Sequence, residues 1–379
     1  MFQTVSPIDP KLRTLPFPYK GALSISSDVE FFSFRFFEEF MKFLNTKSLT
    51  GLGQGLGLEV TSSLFFYTAN PHTFSYFDGE LVDAAKSNYA NRIDEYLKIG
   101  WIDTNHSYGY FSECQAFTRE YAVRSFELLS DLDVTLEVFT NHGGNRANLG
   151  NHQHLYNGDD RSTRSYHADL LKENGVKYVW LDSGSYNIEL LDKLRPVKNQ
   201  IQKLLGRHTG PPRKRNELFK DEELRDGTRL KGFIRFRSTG KNAPNLSTLD
   251  FQIKQIDWQR LYNENGVIVL YQHLGVLSKD VRGHGISAST EAITKNPDIL
   301  APFYFLAEEQ EKGNFWVCGT QKILRYVEGV ESSKVTFDQD SGKWRLEYEG
   351  TVTDDPQVFF RGLPFIWITI LVSCYLKTL

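Results

Sequence analysis

Short apolar runs alternate with helical patterns over the first 280 residues of the chain. ALSISSDVE (22–30) reads as a strand that ends in acids. Phe32, Phe36, Phe37, Phe40, Phe43 and Leu44 follow near helical spacing. LEVTSSLFFY (58–67) reads as a strand, and 80–98 as a helix that stops before Gly100. The strand WIDT (101–104) leads into a loop that begins with His106, and a helix over 113–130 follows. VTLEVFT (134–140) is the clearest strand and ends at Asn141, His142, Gly143 and Gly144. A helix at about 164–174 precedes the strand VKYVWLD (176–182). GFIRFRS (232–238), a helix near 256–264 and VIVLYQH (267–273) complete the series.

Strands that alternate with helices argue for parallel strands joined by crossovers. About seven such units favour a closed or nearly closed ring over a doubly wound sheet. The expected fold class is therefore α/β: an incomplete or distorted (β/α)7-type barrel with a small C-terminal β appendage. Residues 196–231, rich in Pro, Arg, Lys and Glu, read as a surface insertion. KVTFDQDSGKWRLEYEGTV (334–352) has the signature of a β-hairpin turning at Asp-Ser-Gly. The expected division is a barrel over 1–328 and the appendage over 329–379. The closely spaced glycines of GLGQGLGLE (51–59) precede a strand pattern instead of opening a helix, so they read as a loop and not a dinucleotide site.

Composition narrows the partners. A net charge of −3 gives no reason to expect nucleic acid. The basic triplet Arg213, Lys214, Arg215 is followed by Glu217, Asp221, Glu222 and Glu223, the mixed signs of a solvated loop. Cys114, Cys318 and Cys374 lie far apart, which excludes a disulfide scaffold and favours a reducing compartment. The N-terminal segment has no apolar stretch of signal-peptide length, so a cytoplasmic location is expected. The apolar run 365–376 is shorter than the ~20 residues of a membrane helix and reads as a buried strand. Aromatic residues reach 14%, which fits either a bulky core or a cleft whose rings face sugars.

Candidate chemistry lies at strand ends. Asp28 and Glu30 end the first strand; Asp103 and His106 follow WIDT; Asn141 and His142 follow VTLEVFT; Asp182 ends VKYVWLD; His273 ends VIVLYQH. In a β/α barrel the C-terminal strand ends converge on one face. Asp28 and Glu30, two apart, share a face of the strand. One could hold a metal while the other takes a proton from water, although both would also suit the N-terminus of the next helix. His106, with an acid three residues earlier, fits a metal ligand and an orienting partner. Paired glycines after His142 allow close backbone approach to a ligand. His167, at a helix start, is placed near the same mouth.

The order ALSISSDVE, DTNHSYGYF, VFTNHGG, YVWLDSGS, VLYQHLG resembles the polysaccharide deacetylase (NodB-homology) superfamily over about residues 20–275. That family has an incomplete β/α barrel and a divalent metal, often zinc, held by one Asp and two His. The match departs from the family in three places. Asp28 stands alone, with Glu30 two residues on, where the family has adjacent acids. The family's second His falls on Tyr110, and its Arg on Asn141 or His142. The resemblance implies metal-assisted removal of an acyl group, N-acetyl above all, from a carbohydrate. Asp28, His106 and His142 are then the metal ligands, with Glu30 as base and His273 as acid. Asp103, Asn141, His167, Trp180 and Asp182 are candidates to orient those ligands or to bind the substrate. Two other readings stay open: a non-catalytic carbohydrate-binding barrel that has lost the metal, and a glycoside hydrolase pairing Asp28 with Asp182 or Asp103.

Overall fold

The computed structural model describes residues 13–348, apart from 113–114, 144, 151–155, 182–184, 187–217, 238–243, 280–284 and 339–342. Its centre is a mostly parallel sheet. The strands are β1 (Gly21–Ser27), β2 (Thr61–Leu64), β3 (Ile102–His106), β4 (Val138–Thr140) and β5 (Tyr178–Trp180). They are followed by β6 (Arg229–Phe233, resuming at Arg235–Phe236), β7 (Val267–Gln272) and β8 (Phe315–Val317). β1 pairs with β2, β2 with β3, β3 with β4, and β4 with β5, all parallel.

β6 closes the ring. Its first half pairs with β5, Gly232 opposite Val179. The chain then bends at Ile234, and its second half pairs with β7, Phe236 opposite Leu270. β7 runs back along β1 from Val267 opposite Ala22 to Gln272 opposite Ser27. The seam between β6 and β7 has this one backbone pair, and a buried side chain reinforces it. Gln252 Nε2 donates to the carbonyls of Phe236 (3.0 Å) and Tyr271 (3.1 Å). The barrel is distorted at its other end. There β8 pairs with the first three residues of β1, so β2 meets β1 only at Ser26 and Ser27.

Alternation along the strands sorts the core into two clusters. Ala22, Val138, Tyr178, Trp180, Val269 and Tyr271 form the smaller, together with Ile323 and Leu324. The larger lies outside the ring, where helices cover the sheet. Its densest part is the helix Phe34–Asn45, which buries Phe34, Phe36, Phe37, Phe40, Met41, Phe43 and Leu44. Ser33 caps that helix by accepting from the Phe36 amide. Each fully buried Phe is worth about 1.5–3 kcal/mol.

The helix Thr320–Glu331 plugs the N-terminal end of the barrel. Thr320 Oγ1 meets Ser24 Oγ at 2.9 Å, and the Thr320 amide donates to Thr61 Oγ1 (3.1 Å). The Gln321 amide donates to Asp103 Oδ2 (2.9 Å). Asp103 is the extra residue of a β-bulge, since Ile102 and Thr104 pair with the adjacent Ser62 and Ser63. The bulge aims its carboxylate at this helix and away from His106.

Several sequence boundaries move. The helix expected over 80–98 forms only at Ala90–Lys98. Part of the expected insertion joins the sheet, since Phe219–Glu223 pairs antiparallel with Arg229–Phe233. The hairpin forms as Ser333–Asp338 against Lys343–Tyr348. The run 365–376 lies outside the described residues. Among the described residues no helix is long and apolar enough to cross a membrane.

Burial raises the Asp103 pKa from 3.8 to about 6, even though the Gln321 amide and Thr104 hydroxyl pull the other way. With the folded value raised, this group's stabilising contribution is complete below pH 4 and is lost as pH rises through about 6. The interval is worth up to about 3 kcal/mol. Asp103→Asn keeps an acceptor for the Gln321 amide and removes the charge. Urea unfolding from pH 4 to 7 should show the variant gaining on the unaltered protein as pH rises. Parallel curves for the two would contradict the assignment.

Candidate active site

At the C-terminal end of the barrel, three imidazoles surround one carboxylate. The chain leaves β1 at Asp28, whose amide donates to the Gln272 carbonyl (2.8 Å). It then turns through Phe31 at a φ of 57°. This left-handed, non-glycine conformation costs about 1–3 kcal/mol, and the Phe31 amide is held there by Thr73 Oγ1 at 2.8 Å. On the far side, a Cβ on Gly275 would sit 2.6 Å from the backbone of Phe32, so only glycine fits beneath this turn. The turn aims Glu30 across the mouth. Its Oε1 lies 3.2 Å from His142 Nε2, 3.4 Å from His106 Nε2 and 3.7 Å from His273 Nε2. Its Oε2 is buried and has no hydrogen-bond partner among the described residues.

Each ring is oriented from behind. His106 Nδ1 is held by Thr140, with Oγ1 at 2.7 Å and the carbonyl at 3.3 Å, which turns Nε2 toward Glu30. Phe65 stacks flat on the His106 ring at 5.2 Å and meets His142 edge-on at 5.0 Å. His273 Nδ1 lies 2.7 Å from the Pro244 carbonyl, which can only accept. The proton is therefore fixed on Nδ1, and Nε2, 3.4 Å from the Tyr271 hydroxyl, is the nitrogen that faces the mouth.

Asp28 is held differently. The wholly buried Arg235 grips it with two bonds, Nη1 to Oδ1 at 2.6 Å and Nη2 to Oδ2 at 3.2 Å. The guanidinium carbon lies 3.6 Å from the Trp180 ring centroid and 3.9 Å from that of Tyr271, and the two rings, 5.3 Å apart, meet it from directions roughly at right angles. These two rings shield the cation from water and leave its edge for the carboxylate. Asp28 Oδ2 also lies 3.4 Å from His106 Nε2.

The local field favours positive charge at the centre. Burial works against ionised Glu30, yet the charges of His106 and His273 and the bonds from His106 and His142 hold its pKa well below the ordinary 4.5. Burial likewise opposes charge on His106, and Asp28 and Glu30 override it, raising its pKa.

The donor set suits a divalent ion. Glu30, His106 and His142 offer ligand atoms within 4.8 Å of one another, and Asp28, Glu30 and His273 form an overlapping set. A tetrahedral ion with bonds near 2.0–2.1 Å separates its ligands by roughly 3.3–3.4 Å. The distances from Glu30 Oε1 to His142 and His106 match that edge. Thr140 behind His106 supplies the orienting partner that such ligands need. The second set needs Asp28, which Arg235 already neutralises.

Other expected site residues lie elsewhere or play another part. Asp103 caps the plug helix at the opposite end of the barrel, so it does not orient His106; Thr140 does. His167 does not reach the mouth. It is buried against Tyr108 and Phe117, its Nδ1 bonds the Ser165 carbonyl, and burial lowers its pKa to about 4. Asn141 exchanges two bonds with the Leu149 backbone, so it shapes a loop and meets no ligand set. Trp180 lies beneath Arg235 as part of the floor. Asp182 lies outside the described residues. Tyr110 is 44% exposed, with its ring edge-on to His142 at 5.6 Å. Arg235 went unnoticed in the sequence; its only trace is the period-two row Phe233, Arg235, Arg237 in GFIRFRS.

No sequence-family model matches this chain, and no curated protein matches it in sequence. Among solved structures, it is similar to a 4-alpha-glucanotransferase from Thermococcus litoralis with a TM-score of 0.40 and 11% identity. The similarity covers 81% of this chain and 40% of that one, so the chain spans about two-fifths of that enzyme's length. A likeness this slight carries no functional weight.

Removing one partner of a buried ion pair typically costs about 3–5 kcal/mol. Arg235→Leu should destabilise the protein by that order in urea unfolding, and adding Asp28→Leu should recover most of the loss. A double variant as unstable as the single one would show that the guanidinium acts through its contacts with the rings and not through Asp28.

Proposed function

We propose that the barrel is a metal-dependent hydrolase that removes an acyl group, N-acetyl above all, from a carbohydrate. One observation carries the reading. Arg235 occupies Asp28, while Glu30 faces two imidazole nitrogens at the edge length of a tetrahedral site. This exchanges the roles that the sequence suggested for the two acids. Glu30, His106 and His142 hold the ion, zinc by donor type, and Asp28 is the base. Such an ion supplies Lewis-acid polarisation of a carbonyl and acidification of water.

The chain's own groups do the proton work. Asp28 takes a proton from water through Oδ2, the oxygen more loosely held by Arg235. The water oxygen adds to the amide carbon, and the carbon–nitrogen bond breaks. Protonated His273 delivers its Nε2 proton to the leaving amine, with Pro244 holding the ring's other nitrogen in place. The products are a carboxylic acid and a free amino sugar, and solvent exchange returns the Asp28 proton to His273. The carbohydrate part of the reading is supported by the motif order and by Tyr110, an exposed ring beside His142. A glycosidase needs two carboxylates facing each other across the cleft. Of the two partners that the sequence offers Asp28, Asp103 lies at the far end of the barrel and Asp182 lies outside the described residues.

Protein purified without chelator should carry about one metal ion per chain, as one ligand set predicts, and release acetate from N-acetylglucosamine oligomers. Chelation should abolish the release and zinc restore it. His142→Ala and Glu30→Ala should lose the metal. Asp28→Asn should keep it while activity falls about 10²–10⁴-fold. Loss of metal in Asp28→Asn would restore the opposite assignment. A metal-free protein that binds the oligomers without cleaving them would mark a binding barrel, and chelator-insensitive glycoside cleavage would mark a glycosidase.

A further inference from the structure

The two imidazoles of the ligand set come from different strands, His106 from the end of β3 and His142 from the loop after β4. Their spacing therefore depends on whatever joins the two loops. Beyond the strand pairing that sets His106 opposite Thr140, one buried side chain joins the two loops directly. Asn148 Oδ1 accepts from the Ser107 hydroxyl (2.7 Å) and from the His142 amide (2.8 Å). Its Nδ2 donates to the carbonyls of His142 (3.1 Å) and Gly143 (2.8 Å). One amide thus bonds the residue after the first histidine and both backbone groups of the second. Asn148 and Ser107 are fully buried, so each lost bond leaves an unpaired polar group.

The His106 loop needs such a hold. Ser107 and Tyr108 both have left-handed backbones, with φ of 51° and 61°. Non-glycine residues in that region persist only where their surroundings over-determine them. Asn105 Oδ1 takes the Tyr108 amide at 3.0 Å, Asn145 Nδ2 takes the carbonyls of Ser107 and Gly109, and Asn148 takes the Ser107 side chain. Of these side chains Asn148 is the one that bonds His142; Asn145 reaches the His142 carbonyl (3.2 Å) through its backbone amide.

We infer that Asn148 is a positioning residue: it clamps the Ser107 turn to the His142 backbone and thereby sets the affinity of the Glu30, His106, His142 site for a divalent ion. The inference rests on the metal reading above and deepens it. The clamp has a built-in prediction of non-additivity, because Ser107 acts only through the Asn148 oxygen.

The test uses the full chain, stripped of metal, titrated with Zn²⁺ against a chromophoric chelator and then with Co²⁺ by visible absorption. Asn148→Ala should weaken Zn²⁺ binding roughly 10–100-fold, the usual cost of losing an outer partner of a metal ligand, and alter the Co²⁺ spectrum. Ser107→Ala should weaken it less, and the double variant no more than Asn148→Ala alone. A role confined to folding would lower the melting temperature and leave affinity and spectrum unchanged. Should Asn148→Ala fail to fold, Ser107→Ala decides, since it deletes one hydroxyl. Unchanged affinity in Ser107→Ala overturns the clamp and leaves the metal reading standing. An unaltered protein that binds neither ion overturns the metal reading, and the clamp with it.

Discussion

The buried ion pair between Arg235 and Asp28 organises the molecule at both scales. Arg235 belongs to the strand that bends at Ile234 to join β5 to β7, so the residue that closes the ring also reaches across its lumen to β1. A guanidinium with no exposure costs several kcal/mol to desolvate, and only a well-aimed bidentate partner and close aromatic rings offset that. Asp28 is the partner, and Trp180 and Tyr271 are the rings. With Asp28 neutralised, the remaining carboxylate at the mouth, Glu30, is left to face His106, His142 and His273.

The two ends of the barrel divide the labour. At the N-terminal end, the plug helix is held by Ser24, Thr61 and Asp103, polar groups whose bonds end within the protein. At the C-terminal end, Glu30 Oε2 is buried without a partner among the described residues, and imidazole nitrogens converge on the same acid. An unsatisfied acid on which several imidazoles converge is what a ligand completes. Surroundings separate the two buried histidines: His167 lies among aromatic rings, and His106 lies beside two carboxylates.

The sequence exposed one kind of information well. Asp28, Glu30, His106, His142 and His273 each close an apolar strand, and parallel strands in a ring bring such ends together whatever their separation along the chain. Pairings that depend on a long-range partner stayed hidden. Arg235 meets Asp28 across 207 residues, and within GFIRFRS it looks like any strand residue facing water. Asp103 misled because a bulge broke the strand period just where its spacing to His106 seemed meaningful. Asn148 was invisible because asparagines after a glycine pair read as ordinary loop residues. The helix Ala301–Glu311 was missed for a different reason: its sequence, APFYFLAEEQE, shows no apolar stripe of helical period.

Anomalous diffraction from crystals soaked in zinc tests the central claim most directly. The closed ring predicts a single peak bonded to Glu30, His106 and His142, with both Asp28 oxygens still on Arg235. A peak bonded to Asp28 and His273, with the guanidinium displaced, would contradict it.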